Sequence, residues 1–248
     1  MSLTASRPVP IPANGPIVEH LRDLAAALAE AERHAPALER WAVELSERLP
    51  QGHRLLVAGN GGSAAEAQHL TAELVGRYRD ERPAFSALAL NAETSSVTAI
   101  GNDYGFEEVF ARQVRAHARP GDIVLLLSTS GASANLLRAV HAAREAGAET
   151  WALTGPAPNP LAAACDDAVC LDGASAHVQE CQLAAIHAVC RVFDERILGP
   201  ASATAAPVVP AVADAERPEP RILPALRRTT ESRLRAAGGR IPARREAP

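Results

Sequence analysis

The chain has 248 residues, of which 47% are hydrophobic, 22% charged and 3% aromatic, with a formal net charge of −4. That length suits one α/β domain with appendages, or two small domains. All 25 basic residues are arginine, which excludes chemistry that needs a lysine amine: pyridoxal-phosphate Schiff bases, lysine aldolases and P-loop nucleotide hydrolysis.

Residues 1–15 are Pro-rich and are expected to be disordered, not a signal peptide. Ile17, Leu21, Leu24 and Leu28 then recur on one face of a helix. Pro36 is expected to end or kink it, and Leu38, Trp41 and Leu45 resume the pattern to about Arg48. A compact apolar strand at 55–58 is closed by Gly59-Asn60-Gly61-Gly62-Ser63, and a helix follows through Val75. A second strand is predicted near 85–90, and helical stretches fill 93–117. The third strand, 122–127, is apolar after its first residue and ends in Ser128-Thr129-Ser130-Gly131. A helix at 134–146 stops at Gly147, a fourth strand covers 149–153, a fifth about 168–171, and a long helix about 176–197. Short apolar strands separated by helices predict a parallel five-stranded sheet with both faces covered. The expected organisation is a single doubly wound α/β domain over 16–199, with a helical lead-in at its N-terminus.

Within the remainder, 200–248, the tail from Ala201 onward carries 9 Arg against 5 acids and seven of the 19 prolines, whereas residues 1–200 carry 16 Arg against 24 acids. Its scattered large apolar residues cannot bury enough surface to order it, so disorder is expected, although the sequence allows a short helix at 229–237. A docking segment for a partner is the other reading of this tail. The acidic body lacks the basic stripe of a nucleic-acid groove, and no apolar run approaches the roughly 20 residues of a membrane span. Cys165, Cys170, Cys181 and Cys190 form no CxxC pair, so a zinc ribbon or dense disulfide framework is not expected. A reduced, cytoplasmic setting is the expectation.

Ligands of open parallel sheets bind at the carboxyl ends of the strands. The segment Ser128-Thr129-Ser130-Gly131-Ala132-Ser133 puts four hydroxyls in six residues at such an end, just before a helix. Backbone N–H groups, hydroxyls and the helix dipole there form an anion cradle suited to a sugar-bound monophosphate. An ordinary helix cap would need only one hydroxyl. Gly59-Asn60-Gly61-Gly62-Ser63-Ala64 formally matches the GxGxxA dinucleotide fingerprint, with Glu93 as a ribose-binding acid. That reading leaves the second hydroxyl loop unexplained. His69 and Glu73 stand four apart on the helix after the glycine loop, so they share a face as a metal pair, an acid–base pair or a plain surface contact. Gln179, Glu180 and His187 interrupt the apolar face of the last helix, and a histidine so embedded is commonly a satisfied core residue.

The run from Gly59 to Leu74, together with Ile100-Gly101-Asn102-Asp103-Tyr104-Gly105-Phe106, resembles motifs of the phosphoheptose isomerases of the SIS (sugar isomerase) superfamily. So do Ser128-Thr129-Ser130-Gly131-Ala132-Ser133-Ala134-Asn135 and Val178-Gln179-Glu180 with His187, and the resemblance spans about 17–198. It implies isomerisation of sedoheptulose 7-phosphate to D-glycero-D-manno-heptose 7-phosphate, a ketose-to-aldose shift through an ene-diolate, supplying nucleotide-activated heptose. It further implies a zinc site of His69, Glu73, Gln179 and His187, and sugar contacts from Asn60, Gly61, Gly62, Asn102, Asp103, Glu73 and Gln179. Ser128, Thr129, Ser130 and Ser133 match the phosphate loop, Glu73 the base and His187 the acid. Family members are homotetramers with sites where subunits meet. Gln179 and His187 lie eight residues apart, about 12 Å of helix rise, so one ion reaches both only if Gln179 sits at or before the helix start. Two alternatives remain: an isomerase for another sugar phosphate, and a non-catalytic superfamily adaptor that binds a replication initiator. Such adaptors lack a glutamate at the position of Glu73.

Overall fold

The structure is a computed structural model and describes residues 15–199. The expectations for residues 1–14, for the tail 200–248 and for a helix at 229–237 lie outside the described residues. Five strands, β1 (Leu55–Gly59), β2 (Ala87–Ala89), β3 (Ile123–Ser128), β4 (Glu149–Thr154) and β5 (Asp167–Cys170), form one sheet. All neighbours are parallel, in the order β2-β1-β3-β4-β5.

Both faces of this sheet are covered, which is why its central strands read as unbroken apolar runs. Every residue of β1 and β3 is buried. Leu55, Val57, Ile123, Leu125 and Leu127 enter one hydrophobic layer, while Leu56, Ala58, Val124 and Leu126 enter the other. The first layer is roofed by α2 (Ala35–Arg48), α3 (Gly62–Val75) and α8 (Ser175–Leu198). The second is roofed by α4 (Thr94–Tyr104), α5 (Val109–His117) and α6 (Ala134–Glu145). Trp41 of α2 stacks on Trp151 of β4 with ring centroids 4.9 Å apart.

Strand order decides where a ligand can sit. From β1 the chain passes to β2 on one side and then returns to β3 on the other, so a topological switch lies between β1 and β3. Gly59 is in register with Leu127, and the glycine loop and the serine loop therefore leave the sheet side by side. The two loops singled out from composition share one crevice.

The helix end expected at Pro36 falls just ahead of it, because Pro36 has no N–H to donate to the Glu32 carbonyl. The chain leaves α1 (Pro16–Ala31) through a 3-10 turn at Glu32–His34, and Pro36 sits in the first turn of α2, where its missing N–H costs nothing. Several local expectations are corrected. The apolar stripe of α1 is largely uncovered: Ile17 is 75% and Leu21 57% exposed, while Leu24, Ala27 and Ala31 pack against the core. The helical stretch 93–117 is split at Gly105, whose φ of +89° no other residue adopts without strain. β2 is shorter than expected because it pairs on one side only, with β1. Asp122 lies outside β3. Its carboxylate accepts the Arg54 and Arg119 backbone N–H groups and pairs with the Arg54 guanidinium. A five-residue helix, α7 (Pro160–Ala164), was not anticipated. Asn159 caps it by accepting the Ala162 N–H at 2.9 Å.

Candidate active site

The glycine loop has a geometric requirement. Gly61 adopts φ +58°, ψ −122°, a region open to glycine, and this turn starts α3 at the mouth of the crevice. A Cβ on Gly62 would lie 2.2 Å from Nε2 of Gln179, so the Gln179 amide occupies the space a side chain would take. Asn60 and Asn135 exchange two amide hydrogen bonds, each 2.9 Å, which ties the glycine loop to the first turn of α6.

In the second loop the four hydroxyls are not equivalent. Ser128 is buried, and its Oγ accepts the Gly131 N–H at 3.0 Å, closing the turn. Thr129 Oγ1 accepts from Ser175 Oγ at 3.0 Å, which brings the start of α8 to this loop. Ser130 is exposed. Ser133 is the residue before α6, and its hydroxyl makes no capping bond. The plain-cap reading therefore does not hold. Three of the four hydroxyls shape the loop or join it to α8, Ser130 Oγ accepting the Ala132 N–H at 3.3 Å, and Ser133 stands at the helix N-terminus.

Further along α3 the imidazole of His69 meets that of His187, which comes from α8, 118 residues later in the chain. Their Nε2 atoms are 2.8 Å apart, and His69 Nε2 is 3.2 Å from Glu73 Oε1. One ligand atom from each of His69, Glu73 and His187 lies within 4.8 Å of the others. His187 is half-buried and in this cluster, so the satisfied-core reading of that residue fails. Two imidazole nitrogens and a carboxylate oxygen converging at this spacing are a donor set that fits a zinc-like cation with an open position.

Gln179 is not brought into this cluster within one chain. It lies inside α8, in the second turn and two helical turns before His187, with its amide at Gly62. The condition for its sharing an ion with His187, a place at or before the helix start, is not met. Asn102 and Asp103 are exposed near the end of α4, and their hydrogen bond is to each other, 2.7 Å, rather than to either loop.

Some contributors were not singled out from the sequence. Arg82 is buried and donates to the Glu73, Leu74 and Pro83 carbonyls, so its guanidinium caps the C-terminal end of α3. It also pairs with buried Asp194 of α8 at 2.7 Å, clamping the helix that carries Glu73 to the helix that carries His187. Glu66 is buried with Oε2 unpartnered, and burial pushes its carboxyl up to about 7. It precedes Glu73 by seven residues, so the two share a helix face; that spacing was readable in advance. The four cysteines are free, and burial pushes the Cys165 and Cys190 thiols up to about 12, which leaves no thiolate nucleophile there.

The SIS domain family model matches residues 19–155, so this is a SIS-domain protein. A phosphoheptose isomerase of Streptomyces coelicolor is 61% identical over 180 residues, covering 72% of this chain and 78% of that protein. One of Thiobacillus denitrificans is 44% identical over 76% of this chain and 98% of its own length. Among solved structures, a phosphoheptose isomerase of Neisseria gonorrhoeae superposes with a TM-score of 0.66 at 40% identity, over 72% of this chain and 97% of that one. The Francisella tularensis enzyme gives 0.68 at 32% identity, over 72% and 96%. The chain belongs to the phosphoheptose isomerase family and is an isomerase of sugar phosphate metabolism. Among the described residues no helix is long and apolar enough to cross a membrane.

Proposed function

We propose that the domain 16–199 isomerises sedoheptulose 7-phosphate to D-glycero-D-manno-heptose 7-phosphate in the cytoplasm, as a zinc-dependent homotetramer. The observation that carries this reading is the meeting of His69, Glu73 and His187 beside two loops fit for a sugar phosphate. Ser130 and Ser133, with the backbone N–H groups at the start of α6, are assigned to the phosphate, and Ser128 and Thr129 to the shape of their loop. Asn60, Gly61, Gly62 and Gln179 would line the sugar. Asn102, Asp103 and the partner share of Gln179 are assigned to sites completed where copies meet. The exposed Ile17, Leu21 and Leu28 of α1 support such an assembly.

The reaction moves a carbonyl from C2 to C1. Glu73 takes a proton from C1 as its carboxylate and returns it to C2, while His187 passes a proton between the two oxygens. An ene-diolate of the sugar lies between the two transfers. His69 holds the Glu73 carboxylate at 3.2 Å and orients it. A zinc ion held by His69, Glu73 and His187 would supply Lewis-acid polarisation and stabilise developing negative charge, commonly several kcal/mol. No step calls for an amine, in keeping with a chain that has no lysine.

The substrate assignment is tested by turnover of ketose phosphates of five, six and seven carbons, with and without added zinc. The seven-carbon substrate should lead in kcat/KM by about tenfold or more. A faster reaction on a shorter sugar would reassign the substrate. No turnover with any of them, with zinc present, would favour the non-catalytic adaptor.

A further inference from the structure

A second cluster of the same chemical type stands apart from the first. His20 of α1, and His177 and Glu180 of α8, each bring one ligand atom to within 4.8 Å of the others. His20 Nε2 is 2.8 Å from Glu180 Oε1, and His20 Nδ1 is 3.2 Å from His177 Nε2. The two imidazole centroids are 4.7 Å apart. None of these residues belongs to the reacting cluster. Gln179 lies between His177 and Glu180 in sequence, but its amide is at Gly62.

We propose that His20, His177 and Glu180 form a divalent transition-metal site that fastens α1 onto α8. Three observations carry this. Two imidazoles and one carboxylate are a mixed N, N, O donor set, which suits zinc rather than magnesium or calcium. Glu180 Oε2 is shielded from solvent yet has no hydrogen-bond partner, so the carboxylate has unspent capacity within the cluster. His20 and Glu180 keep 42% and 38% of their side-chain surfaces exposed, which leaves an ion a way in. The helix so fastened also needs an anchor. None of the residues of α1 is buried, and its large apolar side chains at 17, 21 and 28 are exposed. An ion bridging α1 and α8 would stabilise their contact by binding the folded chain and not the unfolded one. Near the start of α8, Ser175 reaches the serine loop, so the fastening lies on the element that connects α1 to the phosphate cradle.

The test uses the full chain, stripped with a chelator, reloaded with excess zinc at neutral pH, desalted and assayed for metal per chain. Three proteins are compared: wild type, His20→Gln/Glu180→Gln, and His69→Gln/His187→Gln. The expected result is about two zinc ions in the wild type and about one in each double variant, a loss of half. His177→Gln, a single isosteric change, is the check should the first double variant fold poorly, and it too should lose about half. Visible absorption of the cobalt-loaded proteins should fall with the metal content. If the His20 and His177 variants keep as much zinc as the wild type, the cluster is only a hydrogen-bonded contact and the proposal is overturned. The isomerase reading is judged separately, by whether the His69/His187 variant loses an ion.

Discussion

Replacing Glu73 by Gln should lower kcat by about 10³-fold, the scale of a lost general base. The side chain is 19% exposed and sits one helical turn beyond His69, whose Nε2 is 3.2 Å from its Oε1. Glutamine keeps the length and the oxygen that faces His69, so the helix and the loops upstream of it should be undisturbed. What it cannot do is take a proton from carbon. The expected signature is a fall in kcat with KM changed little, because the phosphate cradle at Ser130 and Ser133 is on a different loop. Steady-state kinetics with a circular dichroism check of folding would measure it. Near-normal turnover would remove Glu73 from the role of base.

Replacing Asp194 by Ala should cost about 3–5 kcal/mol of stability, the largest expected effect away from the reacting groups. Asp194 and Arg82 retain only 5% and 1% of their side-chain surfaces, and their closest atoms are 2.7 Å apart. Removing the carboxylate leaves a guanidinium buried between the rings of Phe85 and Phe193 with its charge uncompensated. An exposed pair such as Arg191–Glu195 should contribute about 1 kcal/mol or less, since water already solvates both ends. Because Arg82 also holds the Glu73 carbonyl, the change should loosen the approach of α3 to α8 and lower activity in molecules that remain folded. Urea denaturation of Asp194→Ala beside Glu195→Ala measures the difference. A loss below about 1 kcal/mol for Asp194→Ala would show that the clamp contributes little.

Much of the fold was legible because parallel strands buried on both faces leave a plain signature. Residues 55–58 and 123–127 read as strands without help from any partner, and the Gly and Ser runs at their ends marked the crevice. Less legible was whatever depends on tertiary neighbours. The stripe on α1 looks like a core face, yet no other element among the described residues covers Ile17 or Leu21. The short helix capped by Asn159 is too brief for periodicity to show.

For the site, local spacing gave His69 and Glu73 one face of one helix. It could not give His187, which arrives from 118 residues away and looked like a core histidine. Only the resemblance paired them. The same resemblance put Gln179 on the metal, whereas within one chain helix rise keeps it at Gly62. The Arg82–Asp194 clamp left no pattern in the sequence, because an isolated arginine and an isolated aspartate are ordinary surface residues until burial pairs them.

The most direct measurement is conversion of sedoheptulose 7-phosphate in heavy water by the zinc-loaded full chain, followed by NMR of the heptose phosphate product. Proton abstraction and return by a solvent-exchanging carboxylate predicts deuterium at C2 of the aldose, with both product and label lost in Glu73→Gln. An aldose formed at an undiminished rate by Glu73→Gln, or no aldose from the zinc-loaded wild type, would contradict the His69–Glu73–His187 cluster as the place where the carbonyl moves.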